Sequence, residues 1–123
     1  MSKLHLVLAF HNHQPVGNFE HVLEECYRKS YLPFLETLLN HPQLKVVLHY
    51  SGNLLLWMEE KHPEAFDIIK TLVETERVEL LSGGFYEPVL PVLPEKDRVL
   101  QVSEMSRYIR KRFGQSPRGM WLA

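Results

Sequence analysis

The chain has 123 residues, the length of one ordinary domain. Its hydrophobic content of 45% supports a packed core and excludes wholesale disorder. Lys and Arg number 14 against 15 Asp and Glu, and no basic block or stripe stands out, so the charge footprint of a nucleic-acid binder is missing.

Leu4 to Phe10 (LHLVLAF) is short, mostly apolar and partly β-branched, as expected of a buried parallel strand. A positive charge precedes it, as in a secretory signal. The run contains His5, however, and stops at His11 to Pro15 without a small-residue cleavage site, so it reads as a strand. No apolar stretch approaches a membrane span, and Cys26 stands alone with no partner for a disulfide. A soluble, cytoplasmic protein is the expectation.

His11 to Asn18 reads as a polar loop. From Phe19 to Leu39 the apolar residues recur at three- and four-residue steps, which predicts an amphipathic helix interrupted near Pro33. Asn40 to Gln43 is a turn, and Leu44 to Tyr50 (LKVVLHY) is a second buried strand. Ser51 to Asn53 offer a cap for a helix beginning at Leu54, and Pro63 opens another that runs to Glu74. Val78 to Leu81 is a short third strand. The loop that follows carries Pro88, Pro91 and Pro94, too many for a helix or a central strand. Glu95 to Phe113 is a charged helix with Val99, Val102, Met105 and Ile109 on one side, ended by Gly114. Gly119 to Ala123 opens a fourth strand.

The order is β-α-β-α-β-α-β, an α/β pattern that implies parallel pairing and right-handed crossovers. Two closures satisfy it: an open doubly wound sheet or part of a (β/α) barrel. In either, loops at the carboxyl ends of the strands face the ligand cleft.

At that address stand His11, His13 and Gln14. Two imidazoles at i and i+2 share a side if strand geometry persists, and they suit metal ligation or hydrogen bonding to hydroxyls. Their bland role is to satisfy nearby backbone groups. Glu79 lies inside the third strand, where an ionised carboxylate needs a partner or an exposed edge. Ser82-Gly83-Gly84 after it permits close backbone approach, and Phe85-Tyr86-Glu87 adds rings and a second carboxylate, a mixture suited to a carbohydrate cleft. Core packing is the more common fate of a tryptophan placed as Trp121 is, beside Met120 and Leu122, and His49, which could face the same cleft, reads first as a structural histidine. No phosphate loop, serine elbow or Cys-x-x-Cys pair occurs.

His13-Gln14-Pro15, then Glu79 in a Val-Glu-Leu-Leu strand, then Gly-Met-Trp-Leu-Ala resemble the first three sequence regions of glycoside hydrolase family 57. Gly83 to Leu90 also resembles the 4-α-glucanotransferase and α-amylase members of that family. The resemblance covers residues 4 to 123 and implies a (β/α)7 barrel that cleaves α-1,4-glucosidic bonds with retention. This chain would then be roughly the first half of the barrel, reaching strand four. His11, His13, Gln14, Glu79 and Trp121 would be the substrate-binding residues for an α-1,4-glucan or malto-oligosaccharide. The resemblance implies no metal and no cofactor, and no catalytic residue within the chain: the nucleophilic glutamate is expected directly after Ala123 and the acid/base aspartate on a later strand. Residues 1–123 alone are expected to be inactive, and to self-associate through open barrel edges. Two other readings compete. One is a metal-dependent barrel hydrolase or deacetylase built on the His-x-His pair with His49 and Glu79. The other is a non-catalytic glucan-binding module.

Overall fold

The structure, a computed structural model, describes residues 2–123. Its centre is a parallel sheet of β1 (Ala9–Asn12), β2 (Val46–Tyr50) and β3 (Val78–Leu80), in the order β1-β2-β3. A fourth segment is joined through a parallel bridge between Ser82 and Met120, with Trp121 N–H donating to the Ser82 carbonyl at 2.8 Å. Neighbours in sequence are neighbours in the sheet, which is the progression of a barrel wall; a doubly wound sheet would reverse direction at a switch point.

The first strand starts later than its apolar run suggests. Leu4, Leu6 and Val7 are exposed, because β2 begins to pair only from Val46 and offers residues 4–7 no ladder. Pairing instead continues through His11 and Asn12, which sequence patterning assigns to a loop. The register sets Phe10 beside Leu48 and His11 beside His49. Leu48 in turn lies beside Leu80, and Val47 beside Glu79.

That register sorts side chains by face. Leu48 and Leu80, with Val46 and Val78, are buried under the helices. Ala9, Val47 and Glu79 occupy the opposite face and are exposed or half-buried.

Helix α1 (Glu20–Cys26) passes through a π-helical turn at Tyr27–Tyr31 into α2 (Leu32–Asn40). The wider turn, in which Leu32 N–H donates to the Tyr27 carbonyl, places Pro33 in the first turn of α2, where its missing N–H is least costly. The helix therefore continues where a break was expected. Two more helices, α3 (Gly52–Lys61) and α4 (Pro63–Glu74), follow β2, with Pro63 opening α4 as its position predicts. The last, α5 (Glu95–Phe113), ends at Gly114, whose φ of 69° supplies the left-handed cap.

Helix α4 is the hub, packed against α2, α3, β3 and α5. Leu35, Leu38, Leu54, Met58, Ile69 and Leu72 are fully buried around it. Helix α5 docks through Met105, Ile109 and Phe113, and Phe113 stacks on Phe66 at 4.6 Å. Its amino-terminal half stands away from this core, so Val99, expected on the core side, is exposed. No helix among the described residues is long and apolar enough to cross a membrane.

Candidate active site

The carboxyl ends of β1 and β2, the loop after β3 and the segment at Trp121 meet at one point. The shared register of β1 and β2 brings His11 Nδ1 to 2.9 Å from His49 Nδ1. On its other side, His11 Nε2 lies 2.8 Å from Glu87 Oε1. The second carboxylate oxygen lies 2.5 Å from His13 Nδ1. Glu87 is thus clamped between two imidazoles and nearly covered, its side chain 8% exposed. Trp121 stacks on His11 with ring centroids 4.2 Å apart and planes within 9°. His11 and His13 are themselves nearly parallel.

Glu87 reaches this position through an unusual backbone. It closes a turn in which its N–H donates to the Gly84 carbonyl at 2.9 Å, and its φ is 53°. A left-handed conformation costs a non-glycine residue about 1–3 kcal/mol, and such strain collects at functional positions. Gly83 permits a second close approach. A Cβ there would lie 2.9 Å from His49 Nε2 and 3.0 Å from the Trp121 carbonyl oxygen.

His49 is buried, and its Nε2 has no protein partner. Burial pushes its pKa down to about 4, with the neighbouring His11 and His13 adding to the effect, so this imidazole is neutral at physiological pH. Sequence patterning favours a structural role for His49 and counts Glu87 only as a second carboxylate suited to a carbohydrate cleft. The signal for His49 is its position, since β1 and β2 each place a histidine at the same register near their carboxyl ends. Glu87 follows a glycine pair and precedes Pro88, the address of a fixed turn, which alone does not announce a carboxylate turned back toward strand ends.

His11, His13 and Trp121 are therefore brought together. Gln14 and Glu79 are not part of that cluster. Gln14 is buried, donates to the Tyr31 hydroxyl at 2.7 Å and accepts from Asn18 at 2.7 Å, while its carbonyl accepts from Asn53 at 2.6 Å. It anchors the loop that carries His13, and its amide is engaged by protein groups. The loop is also tied to Ser51, whose hydroxyl accepts from Gln14 N–H at 3.4 Å instead of capping α3. Glu79 sits two residues before Leu81 on the open face of the sheet and accepts from Arg118 Nη2 at 2.7 Å. Its carboxylate is thus engaged by a guanidinium.

His11, His49 and Glu87 each offer one ligand atom within 4.8 Å of the others, the donor types of a divalent-metal site. Glu79, counted among such ligands from sequence, is not in that group. Within the protein the cluster is held by the imidazole pair of His11 and His49 and the ion pairs of Glu87, while His49 Nε2 and Glu87 Oε2 have no hydrogen-bond partner.

The family profile of glycosyl hydrolase family 57 matches residues 7–123. Alpha-amylase 1 of Dictyoglomus thermophilum is 48% identical over 120 residues, which are 98% of this chain and 18% of that protein. The 4-alpha-glucanotransferase of Thermococcus litoralis is 43% identical over 122 residues, again 18% of its length. A crystal structure of 4-alpha-glucanotransferase from Thermococcus litoralis superposes with a TM-score of 0.91 over 94% of this chain and 18% of that one, at 44% identity. A family 57 branching enzyme of Pyrococcus horikoshii shares the fold at a TM-score of 0.76 and 16% identity. The chain thus spans about a fifth of the curated relatives it matches.

Proposed function

Because this chain belongs to glycosyl hydrolase family 57, we propose that its histidine cluster forms part of the α-1,4-glucan site of a retaining enzyme, a 4-α-glucanotransferase or an α-amylase. The observation that carries this reading is the stack of Trp121 on His11, beside a His13 held by Glu87. A pyranose presents C–H-rich faces to a flat ring and hydroxyls to imidazole nitrogens, so the stack and His13 together suit one sugar unit.

Retaining cleavage needs two carboxyl groups about 5–5.5 Å apart, one to attack the anomeric carbon and one to protonate the leaving oxygen. Among the described residues the cluster contains one carboxylate, Glu87, and it is enclosed by His11 and His13. In our reading these 123 residues bind glucan without turning it over. The nucleophile follows Trp121-Leu122-Ala123 directly in the family pattern, and the acid/base is supplied from a later strand.

The test has two arms. Residues 1–123 are incubated with a malto-oligosaccharide, and turnover above a blank overturns the expectation of inactivity. A polypeptide expressed with the coding sequence that follows Ala123 is then assayed in the same way. Longer and shorter products together establish a transferase, shorter products alone a hydrolase, and no turnover overturns the glucan reading.

A second reading is favoured by the donor set of His11, His49 and Glu87, which is that of a metal-dependent hydrolase. Activity of the extended protein that is lost on EDTA treatment and restored by Zn²⁺ would transfer the case to it.

A further inference from the structure

Away from the strand ends, His62 joins three helices through its two ring nitrogens. It stands between α3 and α4, with Nε2 hydrogen-bonded to Glu24 Oε1 of α1 at 2.9 Å and Nδ1 to Glu64 Oε1 of α4 at 3.1 Å. Its ring lies nearly flat on Tyr27 of the π-helical turn, with centroids 3.6 Å apart. A carboxylate only accepts hydrogen bonds, so each bond needs a proton on the nitrogen, and a neutral imidazole carries one. Both bonds are made at once only when a second proton is present. Glu64 does not hold it. The Tyr27 hydroxyl donates to the same Oε1 at 2.7 Å and, with His62, keeps that carboxyl below its usual range.

The neighbouring charges are engaged elsewhere. On α1, Glu20 accepts from Trp57 Nε1 at 3.2 Å, His21 stacks on Phe19, and Arg28 of the π-helical turn donates to the Glu24 carbonyl at 3.5 Å. Lys61 of α3 pairs with Glu60 at 3.4 Å, and Glu36 of α2 acts on Tyr27. Helix α1 has little else to hold it, since none of its residues is buried. The loop that carries His13 leads straight into α1, and Asn18 ties the two, accepting from Phe19 N–H and donating to Gln14.

We infer that His62 is a proton-operated clamp on α1: with both nitrogens protonated it bridges Glu24 and Glu64, and on losing a proton it releases Glu24. Glu64 is the partner kept, because it lies two residues away and is already fixed by Tyr27, whereas Glu24 is 38 positions distant and its carboxylate then faces a nitrogen lone pair. The clamp sets how firmly the loop from His13 to Asn18 is anchored. It stands independently of the α-glucan reading.

The chain, ¹⁵N-labelled at its seven histidines, is followed by NMR across the range in which imidazoles titrate, with the His62 signals identified by their loss in His62→Gln. Amide protection factors of α1 are measured at the same pH values. The expected result is an imidazolium at His62 in mild acid and an Nδ1–H imidazole in mild alkali. Protection of α1 should fall by roughly tenfold along the same titration, the worth of one charge-assisted hydrogen bond. Glu24→Gln should leave the His62 titration in place and flatten the response of α1, because an amide can meet Nε2 as acceptor or donor. The inference is overturned by protection of α1 that does not follow His62, by a response that persists in Glu24→Gln, or by a neutral His62 protonated on Nε2.

Discussion

A buried imidazole held neutral links the site to acid stability. His49 has a folded pKa near 4, below the ordinary histidine value of 6.5, so between those two values the unfolded chain binds the extra proton. Its contribution is complete above about pH 6.5 and is lost as pH falls toward 4. Since one pKa unit is worth about 1.4 kcal/mol, the loss is on the order of 3 kcal/mol. Denaturant midpoints measured across that range should fall with acidification, and His49→Gln should flatten the slope in this window; an unchanged slope would show that other groups carry it. Trp121 offers a second residue-scale test. An aromatic stack contributes about 0.5–1.5 kcal/mol beyond buried area, so Trp121→Ala should weaken malto-oligosaccharide binding by roughly 2- to 10-fold in titration calorimetry. Equal affinity would mean that the ring packs on His11 without meeting sugar. Residue types announced the chemistry in the sequence but not the pairings. His11 and His13 were legible because polar rings at a strand end are conspicuous. The turn of Glu87 toward them was not, because it depends on a φ of 53° that no local pattern reports. The partner of Glu79 was equally illegible, because Arg118 arrives from 39 positions along the chain.

The elements were more legible than their ends. Helices α4 and α5 match their sequence boundaries, because Pro63 and Gly114 fix backbone angles that the sequence displays. Strand β1 was displaced toward its carboxyl end because pairing depends on where β2 begins, a non-local fact. The same displacement makes the site, since it carries His11 into register with His49. The loop after β3 is the other determinant, and Gly83 is its tightest point. An added methyl group would press on His49 Nε2 at 2.9 Å and on the Trp121 carbonyl at 3.0 Å, and the backbone oxygen has little room to yield. Overpacking of this kind costs about 1–3 kcal/mol. Gly83→Ala should therefore lower stability in urea unfolding by that amount; since Gly83 is not among the glycines with positive φ, an unchanged midpoint would show that His49 and Trp121 yield to the methyl group.

At the scale of the molecule, the helices gather on the face of the sheet that carries Leu48 and Leu80, while Ala9, Val47 and Glu79 face the other way, exposed or half-buried. Leu6 and Val7 ahead of β1 and Leu122 beside the bridge at Ser82 are exposed as well. Strand β1 is an edge in the order β1-β2-β3, with backbone groups free to pair with another strand. Apolar side chains next to an open ladder favour association, because a second chain would cover both the surface and the hydrogen-bonding groups. The 123-residue chain should then sediment as a mixture whose mean mass rises with concentration. Val7→Lys and Leu122→Lys, which add charge at exposed positions and remove no core contact, should shift it toward monomer without lowering its helix content. A single monomeric boundary at every concentration, together with cooperative unfolding, would show instead that the helical layer on one face is enough to sustain the sheet, and that the barrel wall is stable before it closes.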